Sequence, residues 1–476
     1  MLDVPVELSG MSREWDWSTL PDVVWVDVMT RLSLTDRSRV ALVCRRLNDL
    51  FNHPSVWHSV HVYLVGTLPS RRHVRPSARV VAPDRYVAMI RRFGAYFQDV
   101  SLTVRGEVCE LEQPCRDVLR QLACCRLERL TVKVGEGTVQ RQAPSLAASD
   151  ALLALVKQAT HKLRSLNVRS WPVSTDCNII VALRDNDKLR RLDRLSLFCR
   201  DPSEESWVPL TTSVPAPDSV LGLVGQLSSL TSLSVHSTLL TTRLIDVLCQ
   251  AQRAQLITLG VMVVHARGSV AGYDAKFPRI HDSTWKKLCD CHASVGVELT
   301  LCNSIPSYEL MSLLSAELPL RSVAFMKYSS YKPDVLTCVA ANYHRSLAKF
   351  ADYGEADGEG GCREVELVSL VGRCTSLRSL VYHGPLTAST VLELAACRAS
   401  SWKRFEVNVR WTVEHDHGDD VLCVEPTTGA YLITAHLPGS MFYHDDATDQ
   451  QLSVAYQSVC QQVSDCLGYK WQPLSS

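Results

Sequence analysis

The chain has 476 residues, room for an elongated domain with a small one attached, because single cores stop growing beyond about 250–300 residues. Hydrophobic residues make up 46% and charged residues 21%, which excludes the composition that keeps a chain unfolded. Lys plus Arg and Asp plus Glu both number 50. No net field therefore draws the chain to nucleic acid or an anionic membrane, and a charged partner must meet a local patch.

The first residues, MLDVPVELSGMSREWDW, lack the basic start, apolar core and small-residue cleavage site of a signal peptide. No apolar run approaches the roughly 20 residues that span a bilayer. Without a secretion route, the 18 cysteines are expected to be reduced thiols in cytoplasm or nucleus. None stand as Cys-x-x-Cys, the unit of structural zinc sites and RING domains. Neither a metal nor a cofactor is expected.

Residues 20–57 read as three short helices. Pro21 can open the first, since its missing N–H would be unpaired there anyway. Val24, Val28 and Leu32 follow at i, i+4 and i+8, an apolar stripe that a neighbour must cover. Thr35 is the expected cap of the second helix, with Asp36 in its first turn and Val40 to Val43 further on. The third starts near Cys44, presents Leu47, Leu50 and Phe51, and cannot continue past Pro54. Fewer than about 40 residues cannot bury all these groups internally. The rest of the chain or a partner must complete the core.

Leu20-Pro21, Leu32, Asp36, Leu42-Val43-Cys44-Arg45-Arg46 and Pro54-Ser55-Val56-Trp57 stand in the order and spacing of the F-box family, which the stretch resembles over the whole motif. Three positions depart from it: Leu47 where Trp is usual, Trp25 where an aliphatic is usual, and Arg37 where an apolar residue is common. The resemblance implies binding to a Skp-type adaptor, which in turn holds a cullin and the catalytic RING subunit. Chemistry would then lie on other chains, and this chain would have no catalytic residues and would not be an enzyme. It also implies that Leu20, Pro21, Val24, Val28, Leu32, Leu42, Val43 and Trp57 make or support the adaptor contact, some of them from the internal core.

Residues 66–86 are rich in Pro and Arg without helical or strand period and read as a loop. From Phe97 onward an L-x-x-L-x-L pattern recurs: Phe97-Val100-Leu102, Leu127-Leu130-Val132, Leu163-Leu166-Val168, Leu192-Leu195-Leu197, Leu230-Leu233-Val235 and Leu256-Leu259-Val261. It continues with Leu320-Val323-Phe325, Leu347-Phe350 with Asp352 in the third place, Leu377-Leu380-Tyr382, and Trp402-Phe405-Val407. Starts lie 25–38 residues apart except for one gap of 64, which a degenerate copy near Leu299 and Leu301 fills. Helical segments alternate with these strands, introduced by Asp150, Asp218, Pro306, Pro333-Asp334 and Thr387. A strand and helix cannot cover their own apolar face, whereas stacked neighbours can. The period is that of leucine-rich repeats, with Cys125, Cys374 and Cys397 at the helix end before a strand resembling the cysteine position of F-box-associated repeats. The expected fold is α/β, a three-helix F-box followed by a curved solenoid. The expected division is an extension at 1–17, F-box at 18–62, linker and first cap at 63–92, repeats at 93–411 and a C-terminal cap at 412–476, with a capping helix within 450–467.

In such a repeat the fixed places face the core and the intervening residues face the concave sheet. The outward candidates are Arg105, Arg129, Lys133, Arg169, Trp171, Arg194, His236, Met262, Tyr328, Tyr353, His383, Arg404, Glu406 and Arg410. Aromatic and arginine side chains are the usual interface anchors, which selects Arg169, Trp171, Tyr328, Tyr353, His383, Arg404 and Arg410 as the expected surface for a protein substrate. Glu414-His415-Asp416-His417 with Asp419-Asp420, and Cys289-Asp290-Cys291-His292, contain ligand-type residues but lack metal-site spacing. Nucleotide and hydrolase motifs are absent. Two function classes remain: a ubiquitin-ligase substrate receptor, and a leucine-rich-repeat scaffold acting independently of the ligase.

Overall fold

A computed structural model describes residues 17–65, 82–105, 108–134, 146–158, 162–169, 178–197, 216–264, 280–302, 305–326, 329, 331–354, 364–397, 401–414, 421–425, 432–433 and 446–467. Three helices come first, α1 (Asp22–Arg31), α2 (Leu34–Ala41) and α3 (Arg45–Phe51). The cap of α2 is Ser33 rather than Thr35, which already lies in the first turn. The Ser33 hydroxyl accepts from the Asp36 amide at 3.2 Å and donates to the Asp36 carboxylate at 2.7 Å. That hydroxyl holds the Asp36 carboxyl below its ordinary value. Pro54–Trp57 adds a 3-10 turn, and the Trp57 indole N–H donates to the Phe51 carbonyl at 2.7 Å.

Arg37 shows why a charged residue can stand where an apolar one is common. It is 4% exposed, and its guanidinium donates to the carbonyls of Thr30 (2.7 Å), Leu32 (3.0 Å), Val56 (2.6 Å) and Ser59 (3.3 Å). Helix ends leave carbonyls unpaired, and one guanidinium here satisfies groups from the end of α1, the 3-10 turn and the start of the sheet. Burial pushes its pKa below the ordinary value.

From Ser59 onward strand and helix alternate. The strands are β1 (Ser59–Val65), β2 (Asp99–Arg105), β3 (Arg129–Val134), β4 (Ser165–Arg169), β5 (Arg194–Leu197), β6 (Ser232–His236), β7 (Thr258–Val264), β8 (Gly296–Cys302), β9 (Leu320–Phe325), β10 (Lys349–Asp352), β11 (Ser379–Thr387) and β12 (Arg404–Glu414). They lie side by side in chain order, each parallel to the next. The crossovers carry α4 (Pro83–Phe93), α5 (Val108–Leu122), α6 (Leu146–Gln158), α7 (Asn178–Asp185), α8 (Pro217–Gln226), α9 (Thr242–Leu248), α10 (Asp282–Cys291), α11 (Ser307–Leu313), α12 (Pro333–Asn342), α13 (Glu364–Arg373) and α14 (Ala388–Cys397). The result is the curved α/β solenoid of leucine-rich repeats behind a helical N-terminal module. Val100, Leu130, Leu166, Leu195, Leu233 and Leu259 form one buried row across it.

Several local expectations need correction. The sheet begins at β1, inside the stretch assigned to the F-box and linker, because Trp57-Val60-Val62 is itself a copy of the repeat pattern with Trp in the first place. Val60 and Val62 pair with Val100 and Leu102. The degenerate copy lies on β8, and the register to the next strand shifts beside it: Val297 pairs with Leu320 but Glu298 with Ser322, so Arg321 is an extra residue, a β-bulge. Asp150 lies inside α6, which starts at Leu146, and is not its cap. Cys374 is buried and Cys125 half-buried, whereas Cys397, the last residue of α14, is exposed.

Asp352 occupies a core row between Phe325 and Tyr382. Its carboxylate accepts from the Tyr331 hydroxyl at 2.6 Å and the Gly354 amide at 2.9 Å, while the Tyr331 ring stacks on Phe325 with centroids 3.9 Å apart. A buried acid is tolerable only when bonded in this way. Beyond the repeats, β12 pairs antiparallel with β13 (Val421–Glu425), which pairs with β14 (Leu432–Ile433). Helix α15 (Asp446–Leu467) then packs on α14, burying Val459, Val463 and Leu467 at i, i+4 and i+8, the capping helix the sequence suggests.

Candidate functional site

Two surfaces stand out, one on the helical module and one on the concave sheet. On the first, Val24 and Val28 of α1 are exposed, as are Leu42 at 86% and Val43 at 73% just after α2. Pro21 is exposed and Leu20 and Leu32 are half-buried. The Arg46 guanidinium donates to the Leu20 carbonyl at 2.5 Å and pairs with Asp22 at 2.6 Å, fixing the chain entry to α1. Trp57 differs from the others in being 2% exposed, so it can only support this face from beneath. Trp17 and Val23 are also exposed, and neither belongs to the sequence-derived set. Val23 falls outside the i, i+4 stripe and Trp17 precedes it. Single exposed apolar residues are ordinary on any protein surface; here six of them, Trp17, Val23, Val24, Val28, Leu42 and Val43, are exposed on one small helical module.

The concave face carries a row of small polar residues. Register places Ser101, Thr131, Asn167, Ser196, Ser234 and Gly260 side by side on β2 to β7. The row continues through Glu298, Ser322, Lys349, Ser379 and Arg404. Short side chains leave a groove of about 360 Å³, lined by Ser165, Asn167, Ser196, Ser234, Glu298, Thr300, Lys349, Tyr353 and Arg404 among others. A β-carbon at Gly260 would collide with the Ser234 hydroxyl, so glycine lets that serine lie flat on the floor. Asn167 Oδ1 and Ser196 Oγ are buried without a protein hydrogen-bond partner. Charges come in pairs: Arg129 with Asp99 at 2.9 Å, Lys349 with Glu298 at 3.4 Å, and Arg404 Nη2 with Glu406 at 2.8 Å.

Of the residues expected to meet a substrate, Arg404 and Tyr353 line this groove. Tyr353 is largely buried, its ring edge-on to the exposed His383 with centroids 5.0 Å apart. The register shift between Tyr382 and Pro385 carries His383 and Gly384 out of the β11 ladder, as bulges near binding sites do. Arg169 lies on β4 opposite Lys133, and Arg410 on β12 opposite Thr387. Trp171 and Tyr328 lie outside the described residues. With Tyr353, two more of the wider outward set are buried rather than outward, His236 and Met262. His236 turns inward to cap the 3-10 turn Ser237–Leu239, its Nδ1 accepting from the Thr238 amide at 3.2 Å, and burial pushes its imidazole down to about 4. The sequence pattern missed His61 and Tyr63, which β1 places on the concave side, and Glu298 and Lys349; the Trp57-x-x-Val-x-Val copy was the available signal for the first two.

Among the described residues, no three His, Cys, Asp or Glu side chains group as metal ligands. In Cys289-Asp290-Cys291-His292, both histidine nitrogens are engaged: Nδ1 accepts from the Leu256 amide at 3.1 Å and Nε2 donates to the Leu248 carbonyl at 3.0 Å. Of the acidic segment, residues 415–420 lie outside the described residues. Among the described residues, no helix is long and apolar enough to cross a membrane.

The F-box-like family model matches residues 17–63. F-box/LRR-repeat protein 21 of Mus musculus is 28% identical over 182 residues, 37% of this chain and 39% of that protein. The Ovis aries protein of the same name is 24% identical over 315 residues, 65% of each. The chain thus spans less than two thirds of these relatives. A chain in the crystal structure of a TLR13–ssRNA13 complex aligns at a TM-score of 0.30 and 13% identity, covering 74% of this chain and 48% of that one. Helical module, repeat solenoid and sequence likeness agree: the chain has an F-box-like domain at its N-terminus, continues as leucine-rich repeats, and is homologous to F-box/LRR-repeat protein 21.

Proposed function

We propose that the chain is the substrate-recognition subunit of an SCF-type ubiquitin ligase, its F-box binding a Skp-type adaptor and its repeats holding a protein substrate. The observation that carries this is the exposed apolar group Val24, Val28, Leu42 and Val43 on a module that matches the F-box-like model. Fully burying an exposed Val or Leu contributes about 1.5–3 kcal/mol, so covering this group can drive a firm association. Leu20, Pro21 and Leu32 would complete the contact, with Trp57 holding them from below. The cullin and RING subunit follow through the adaptor, and ubiquitin transfer belongs to them; this chain supplies binding, without cofactor or metal, in cytoplasm or nucleus.

The concave groove is the surface proposed for the substrate, with Arg404, Tyr353 and His383 on its rim and Arg169, Trp171, Tyr328 and Arg410 as further anchors. The domain division proposed with it is the one read from the sequence, amended so that recognition starts at β1. Proximity labelling by the intact chain and by a version lacking the F-box tests both halves. Loss of adaptor and cullin with retention of the other partners is expected. If the intact chain captures no adaptor, the scaffold reading replaces the receptor reading. If charge reversal at Arg404 and Arg410 with truncation of Tyr328 leaves every other partner unchanged, the groove is not the substrate surface.

A further inference from the structure

Cys249 and Cys291 stand at the same corner of consecutive repeats. Cys249 is the C-cap of α9 and Cys291 the last residue of α10, helices that pack against each other. The Cys291 side chain lies close enough to Cys249 to raise its thiol. Each thiol reaches across to the other helix end: that of Cys249 donates to the Lys287 carbonyl and that of Cys291 to the Cys249 carbonyl, both at 3.9 Å. The ammonium of Lys287, paired with Asp246 at 2.6 Å across the same two helices, attracts negative charge on either sulfur. Cys291 is exposed and Cys249 half-buried.

We infer that Cys249 and Cys291 form an oxidation site that closes to a disulfide between consecutive repeats when a hydroperoxide reaches it. Burial, followed by the Cys291 side chain, pushes the Cys249 thiol up to about 12, so Cys249 is not the first sulfur to react, since the thiolate is the nucleophile. Exposed Cys291 reacts first. Its thiolate attacks one peroxide oxygen, a sulfur–oxygen bond forms, the oxygen–oxygen bond breaks, and with hydrogen peroxide the leaving hydroxide takes the thiol proton as water. Cys249 then gives up its proton and attacks the Cys291 sulfenic sulfur. The sulfur–sulfur bond forms, the sulfur–oxygen bond breaks, and hydroxide leaves with that proton as a second water. Two thiols are oxidised by two electrons and one peroxide is reduced to two waters. The staple would lie behind β7 and β8, the strands that carry Gly260 and Glu298 on the groove.

The test is peroxide treatment of the purified full-length chain, followed by alkylation of free thiols and peptide mass spectrometry. The expected product is a dithiothreitol-reversible Cys249–Cys291 cross-link and a melting midpoint several degrees higher than that of the reduced chain. Cys291→Ser abolishes both. Cys249→Ser leaves Cys291 as a sulfenic acid that dimedone traps, and Cys289→Ser changes nothing. Wild-type mapping alone decides if the variants fold poorly: recovery of both thiols alkylated while Cys44, Cys124 or Cys397 is oxidised overturns the proposal, as does a bridge from Cys291 to Cys289.

Discussion

Trp57 and Phe97 hold the same place in the first two repeats, their rings stacked with centroids 6.4 Å apart. Trp57 also lies flat on Phe93 of α4 at 3.9 Å and meets Phe51 of α3 edge-on at 4.9 Å. The residue that ends the F-box motif is thus the residue that begins the solenoid, and helical module and sheet share one core.

Truncating this shared ring should unfold both parts together. Trp57→Ala is expected to cost about 3–5 kcal/mol, whereas Trp57→Phe keeps most of the stacking and loses mainly the bond to the Phe51 carbonyl. Urea denaturation followed by helix signal and by proteolysis should give one transition at lower denaturant. Two separate transitions in Trp57→Ala would show that the two parts are independent.

Arg37→Leu restores an apolar residue of ordinary family type, yet it strips a charged donor from four carbonyls. Bonds to charged groups contribute about 1.5–3 kcal/mol each, and orphaned buried acceptors add their own penalty, so a loss of at least about 3 kcal/mol is expected. Arg37→Lys should recover little, because one ammonium cannot reproduce the guanidinium fork. A stability within about 0.5 kcal/mol of wild type would refute the role given to this residue.

Leu42→Glu with Val43→Glu alters side chains that touch solvent, so folding stability should stay within about 0.5 kcal/mol. Affinity for a Skp-type adaptor should fall more than about tenfold, the loss of two buried anchors in a central patch. Calorimetric titration with purified adaptor reads this directly. Unchanged affinity would move the contact elsewhere on the module.

His236 predicts a pH dependence. Its imidazole titrates near about 4 when folded and near about 6.5 when unfolded. Between those values the unfolded chain holds a proton that the folded chain does not. Stability should therefore be complete above about pH 6.5 and fall toward pH 4, by up to about 1.4 kcal/mol per pH unit. His236→Gln should flatten that slope in denaturation midpoints measured from pH 4 to 7; an unaltered slope would assign it to other groups.

Much of the fold was legible because the repeat pattern is a direct imprint of burial. Leu130, Leu166 and Leu195 recur where the core must be filled, and the groove-facing positions follow from strand alternation. What escaped reading depended on contacts between distant residues. Arg37 seemed a defect until its four carbonyls were brought around it. Asp352 seemed to spoil its repeat until Tyr331, 21 residues earlier, supplied a hydroxyl. His236 counts as outward by alternation, but its ring caps the turn that follows. On the helical face, periodicity found Val24 and Val28, while Trp17 and Val23 stand off the stripe and show only by exposure.

The extra residue at Arg321 gives the recognition surface a sideways step. On β7 the groove row runs through Gly260, between the second and third fixed places of its repeat, whereas on β9 it runs through Ser322, ahead of the second. A ligand lying straight across the sheet must therefore read one repeat position on the N-terminal half and a different one on the C-terminal half. Comparing repeats position by position would split its footprint into two unrelated columns, so contact maps for this chain should be drawn along hydrogen-bond register instead of along sequence motif.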